Sequence, residues 1–128
     1  MKLNVMFTIA AIYGLVVGLP SIIAPEAMAS MAHQEVPINM LMIFRFLGCA
    51  ELGLGLIAWF VRNAEASKTR DGVVLGFTIY FALHALTSLY GQFTDTTVHM
   101  HWVMAMLQGL IAIGFFIAGR ATMAKGVA

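Results

Sequence analysis

Residues 38–61, INMLMIFRFLGCAELGLGLIAWFV, decide how the chain is read. The stretch is apolar from end to end apart from Asn39, Arg45 and Glu51. About 20 residues at ~1.5 Å rise cross a ~30 Å hydrocarbon core as an α-helix. Residues 3–24, 72–93 and 99–119 match it in length, and none of them carries Asp, Glu, Lys or Arg. Lipid offers no partner to backbone N–H and C=O groups, so such spans must close their own hydrogen bonds as helices. The pattern predicts an all-α fold: a four-helix integral membrane bundle, one domain over residues 1–128.

Composition points the same way. Hydrophobic residues make up 61% of the 128, against seven Lys/Arg and six Asp/Glu. A soluble domain carries about 25% charge, so a water-soluble globular enzyme is excluded. Disorder needs low hydrophobicity and high net charge, and neither is present. A net charge of +1 creates no basic field, so nucleic acid is not an expected partner. With Cys49 as the single cysteine, an internal disulfide, a Cys-rich zinc site and a CxxC pair are all excluded.

Punctuation marks the boundaries. Pro20 lies near the end of the first stretch and Pro25 follows it, while Pro37 stands just before the second, where proline is tolerated at a helix start. Residues 63–71 are polar and read as a solvated loop. Phe93-Thr94-Asp95-Thr96-Thr97 reads as a hairpin turn, with Asp95 or Thr96 as N-cap of the fourth helix. Connections of about 13, 10 and 5 residues are short, so consecutive helices should be antiparallel neighbours in an up-down-up-down order. Lys2 followed by an apolar run and Ala27-Met28-Ala29 also resembles a secretory signal, but the run is as long as a full span and is read as one. Trp59, Tyr90 and Trp102 fall near span ends, as an aromatic belt would place them.

Small residues suggest how the helices meet. Gly14-x-x-x-Gly18, Gly48 with Gly55, and Gly72-x-x-x-Gly76 each put glycines on one helix face. Such faces serve packing inside a bundle or association with another chain. The expected partners are the lipid bilayer and other membrane proteins, or a second copy through these faces.

The polar residues inside the spans carry what chemistry there is. An ionisable group near the bilayer centre costs about 2.5–3.5 kcal/mol on insertion scales, so it normally faces the bundle and has a partner. Arg45 and Glu51 are six residues apart, about 240° around a helix. Each therefore needs a partner from another helix. By depth, the candidates are His84 and Gln108, and a buried cluster of Arg45, Glu51, His84 and Gln108 is expected, with Tyr13 or Tyr80 nearby. It would serve as a proton or small-ligand site, or as interhelical hydrogen bonds that hold the bundle together. A second group, His33, Glu35, His99 and His101 with Asp95 and nearby methionines, could hold copper or zinc. Positions i and i+2 diverge by about 200° on a helix, so His99 and His101 could chelate only from a non-helical turn. His84 and His101 differ in depth by about 10 Å, which excludes a haem held by both; a single axial His84 remains compatible. The residues name no cofactor and no catalytic set.

The layout resembles the DoxX-like group of small bacterial four-helix membrane proteins and related uncharacterised families. The resemblance is carried by Ala24-Pro25-Glu26, Arg45-x-x-Gly48, Leu52-Gly53-Leu54-Gly55 and Trp59-x-x-Arg62, and covers nearly the whole chain. It implies residence in the bacterial inner membrane and an accessory or assembly role in a larger complex. The rival expectations are a quinone- or lipid-binding subunit of an oxidoreductase using Arg45, Glu51 and His84, and a small transporter.

Lys2, Arg62, Lys68, Arg70, Arg120 and Lys125 fall on one side of the four spans, and the other side has Glu26, Glu35 and Asp95 but no cation. By the positive-inside rule both termini are cytoplasmic. A fluorescent reporter fused after Ala128 should therefore glow, and a phosphatase fused there should be inactive; the reverse pattern sinks the orientation.

Overall fold

The computed structural model describes residues 2–31, 37–97 and 99–123, with the backbone alone at Asn39 and Met123. Among the described residues the chain is all-helical, with no strand. Its helices are α1 (Leu3–Ile23), α2 (Pro25–Met31), α3 (Leu41–Val61, preceded by a 3₁₀ turn over Ile38–Met40), α4 (Lys68–Thr94) and α5 (Met100–Met123). Four of them, all but α2, are long and apolar enough to cross a membrane, which marks the chain as a multi-pass membrane protein. Their outward residues suit lipid: Phe60, Phe93 and Leu110 are more than half exposed, and so is Val16.

Two features differ from the sequence reading. The polar stretch 63–71 is not all loop, because α4 starts at Lys68. Ser67 caps it, its hydroxyl accepting from the Arg70 N–H at 3.2 Å, and Asp71 sits in the first turn where a negative charge favours the helix. The other difference is α2. Ala24 alone separates it from α1; Pro25 stands at its first position and Glu26 in its first turn. Seven residues rise only about 10 Å, so α2 does not span. Pro20 does not end α1. The helix runs through it, and Ser21 Oγ donates to the Val17 carbonyl at 2.7 Å, next to the carbonyl that proline leaves without its helical donor.

The chain divides into two compact units. The first covers Phe7–Phe60 and contains most of α1 with α2 and α3. Here the backbones of α1 and α3 touch. A Cβ on Gly14 would lie 2.5 Å from the Glu51 carbonyl oxygen and 2.7 Å from Gly55 Cα. One on Gly18 would lie 2.7 Å from Leu52 N and 2.8 Å from the Gly48 oxygen. Position 14 thus meets 55 and position 18 meets 48, so the two helices run antiparallel. Helices in lipid gain little from hydrophobic burial, and close approach with its dispersion contacts takes over.

The second unit joins residues up to Met6 with Val61 onward, and holds α4 and α5. Contacts Val74–Gly119, Ala85–Gly109 and Gly91–His101 make this pair antiparallel too. Half of its seam is aromatic: Phe77 and Phe115 stack at 5.3 Å and 14°, with Phe81 at 6.2 Å from Phe115 and 6.3 Å from Phe77. All three rings are buried.

The glycine contacts predict unequal costs. Gly14→Ala or Gly18→Ala forces the α1 and α3 backbones apart and should destabilise the protein by about 1–3 kcal/mol. Gly53→Ala, where a Cβ meets nothing within 4 Å, should be neutral or slightly stabilising. Unfolding of the detergent-purified variants checks this; equal stability of the Gly14 and Gly53 variants would contradict the packing.

Candidate functional site

The structure assigns the four expected cluster residues to both units: Arg45 and Glu51 lie on α3 in the first, His84 on α4 and Gln108 on α5 in the second. Within the first unit Arg45 and Glu51 form no ion pair, as their angular separation requires; Arg70 and Asp71 do pair, at 3.9 Å. Arg45 is half-buried, and its Nη1 reaches back one turn to Met42 Sδ at 3.6 Å. A thioether is a weak acceptor, so most donors of this guanidinium are left for other groups. Glu51 is 8% exposed. Its carboxyl makes no hydrogen bond or ion pair among the described residues. Tyr13 on α1 is buried as well.

The second unit holds a polar seam. Tyr80, His84, Ser88 and Gln92 follow one another at four-residue steps, one per turn along one side of α4. The His84 ring lies 4.4 Å from the Tyr80 ring, tilted by 40°. Ser88 Oγ donates to Gln108 Oε1 at 3.2 Å, tying α4 to α5. Gln108 is buried at 4% exposure. Farther along, the His101 ring packs where a side chain on residue 91 would sit: a Cβ on Gly91 would lie 3.2–3.3 Å from the ring atoms. Gly91 is therefore what lets the imidazole lie on the α4 backbone. Gln92 is as buried as Gln108, and its Oε1 has no hydrogen-bond donor.

Sequence reasoning found His84 and Gln108 by depth but passed over Gln92. The signal was present in the i, i+4 run of polar side chains within an otherwise apolar span.

The outer group is different. His33 and Glu35 lie outside the described residues. His101 is half-buried on α5, whereas His99 is exposed in the turn before it. Among the described residues no three His, Cys, Asp or Glu side chains gather as a metal site would need. Asp95 does not cap the fourth long helix. It ends α4, its N–H donating to the Gly91 carbonyl at 2.8 Å, and Thr97 donates to its carboxylate from both hydroxyl and backbone N–H. The fourth helix starts five residues later, too far for that carboxylate to cap it. The Thr97 hydroxyl first and its N–H second hold the Asp95 carboxyl below its ordinary value, with a smaller contribution from nearby His101.

The chain matches no protein-family model, no curated protein and no solved structure.

The Ser88–Gln108 bond should show as coupling between helices. A double-mutant cycle with Ser88→Ala and Gln108→Leu, read by unfolding in detergent, is expected to give about 0.6 kcal/mol and at most ~2 kcal/mol. Additive single-variant effects would mean that the two side chains do not act together.

Proposed function

We propose that the chain is a small, non-catalytic accessory or assembly subunit of a larger complex in the bacterial inner membrane. In this reading its helices run up-down-up-down with both termini cytoplasmic. The observation that carries it is an apolar face of the α4–α5 pair. An apolar groove of about 490 Å³ runs there between Leu86, Leu89, Trp102 and Met106, floored by Ala82, Ala85, Ala105 and Gly109. A floor of small residues admits the helix of another protein at close range, the arrangement by which helices associate in lipid. Gly72 and Gly76 add a face that is open within the chain, since a Cβ on either would meet nothing within 4 Å. The Gly14, Gly18, Gly48 and Gly55 face is unavailable for this role because α1 and α3 use it on each other. The links 62–67 and 95–99 are too short for a catalytic domain outside the membrane. The DoxX-like motifs support the same reading.

One specific observation favours a second reading, a quinone- or lipid-binding subunit of an oxidoreductase. Buried polar groups with unspent hydrogen-bonding capacity, Glu51 in one unit and Gln92 in the other, are expensive in a membrane protein unless a ligand or water uses them. Arg45 in the one unit or His84 in the other would then recognise the polar head of such a ligand.

Purification in mild detergent separates the two. The accessory reading expects another membrane protein to co-purify in fixed stoichiometry. Ala105→Leu, which fills the groove floor, should release it while leaving the chain folded. A chain that runs alone and carries a quinone, lipid or chromophore by mass spectrometry and absorbance overturns the first reading in favour of the second.

A further inference from the structure

We infer that the α4–α5 pair contains a hydrated polar inlet, open toward the α4–α5 turn and ending at His84, that admits water and with it protons to the middle of α4. The inference deepens the internal-site reading of His84 and Gln108 and rests on it.

The seam between these two helices changes character along its length. From Val74 to Phe81 it is closed. The rings of Phe77, Phe81 and Phe115 fill it, and Val74 Cγ1 lies 2.6 Å from where a Cβ on Gly119 would be. Thr78 in that half spends its hydroxyl on the Val74 carbonyl at 2.8 Å, and a space filled by apolar rings in this way stays dry. From His84 to the turn it is polar on every α4 turn, through Ser88 and Gln92, with Gln108 and His101 contributed by α5. His84 stands about 15 Å from the end of α4 at Thr94, so the polar half reaches to about mid-membrane.

Gln92 gives the inlet its occupant. Its Oε1 is a full-strength acceptor, enclosed by protein and supplied with no donor. Buried acceptors in folded proteins are satisfied by protein or by ordered water, and a bound water typically needs two to four polar partners. The seam supplies such partners at one-turn intervals. Gln92 carries a fixed dipole and no ionisable proton, so it can anchor a water without competing for charge. The seam also carries two imidazoles, His101 beside Gly91 and His84 deeper in, with the Tyr80 ring against His84, and imidazole nitrogens can hydrogen-bond to water. At the turn Asp95 provides a carboxylate held ionised by Thr97 and in electrostatic contact with His101, which favours protons at the mouth. Only proton movement is involved, so no oxidant or reductant is required.

Cysteine accessibility tests this. In a Cys49→Ala chain reconstituted into sealed phospholipid vesicles, single substitutions Ser88→Cys, Gln92→Cys, Phe81→Cys and Leu86→Cys are treated with a membrane-impermeant cationic thiosulfonate. Thiols need water to ionise and react, so positions 88 and 92 should be labelled at least about tenfold faster than 81 and 86. Adding Gln92→Leu to the Ser88→Cys chain should slow labelling at 88, because a water loses its acceptor. Ser88→Cys exchanges one atom, so it serves even if Gln92→Cys misfolds. Rates at 88 no faster than at 81 overturn the inlet. Labelling of the lipid-facing position 86 at the rate of 88 overturns it as well, since the reagent would then be reporting loosened helices. Bound quinone or lipid is read separately by mass spectrometry. A dry seam with ligand present sinks the inlet alone, and a wet seam without ligand sinks the internal ligand alone.

Discussion

Hydrocarbon neither hydrogen-bonds to a peptide nor drives apolar side chains together, and both deficits shape this protein. The first forces the backbone into helices. The second leaves the helices to hold one another by contact alone. In the unit Phe7–Phe60 that contact is backbone on backbone: Gly14 and Gly18 of α1 lie so close to Gly48, Glu51, Leu52 and Gly55 of α3 that no Cβ fits at 14 or 18. The α4–α5 pair solves the same problem with stacked rings of Phe77, Phe81 and Phe115 and close-approach glycines at 91 and 119. Two helix pairs in one chain thus reach close packing by different means, one by omitting side chains and one by fitting large ones.

Against that background the polar side chains stand out, because each must be accommodated where water is scarce. Glu51 belongs to the residue whose carbonyl meets Gly14, so an ionisable group sits in the most closely packed part of its unit. Arg45 is nearer the helix start and half-buried, and its guanidinium turns to the soft sulfur of Met42 instead of a carboxylate. In the other unit His84, Ser88, Gln92 and Gln108 are gathered into one half of a seam whose other half is filled by Phe77, Phe81 and Phe115. Interhelical hydrogen bonding explains Ser88 with Gln108. It does not explain Gln92, whose carbonyl oxygen has no donor. That difference is why the polar half of the α4–α5 seam suggests a role for water, while the apolar groove of the same pair, with its alanine and glycine floor, suggests a protein neighbour.

Much of this was legible before any coordinates. The four spans could be located to within a few residues because the absence of charge over about 20 residues has one physical meaning in a chain this apolar. Boundaries slipped where local capping outweighed hydropathy. Ser67 starts α4 among residues polar enough to pass for a loop, and Pro25 with Glu26 starts α2, which is too short to leave a hydropathy signal. Glu51, His84 and Gln108 could be picked out as polar residues in apolar surroundings. Their partners could not, since angular position on one helix says nothing about what another helix presents to it.

The sequence by itself determined that the chain is helical, apolar and built to cross a membrane, because composition and span length answer to the solvent and need no knowledge of packing. Only the tertiary structure decided which glycines are spent within the chain and which stay open, that Ser88 bonds Gln108, and that Gln92 Oε1 is buried without a donor. Those outcomes depend on distances between helices far apart in sequence, and a pattern read along one helix carries no record of them.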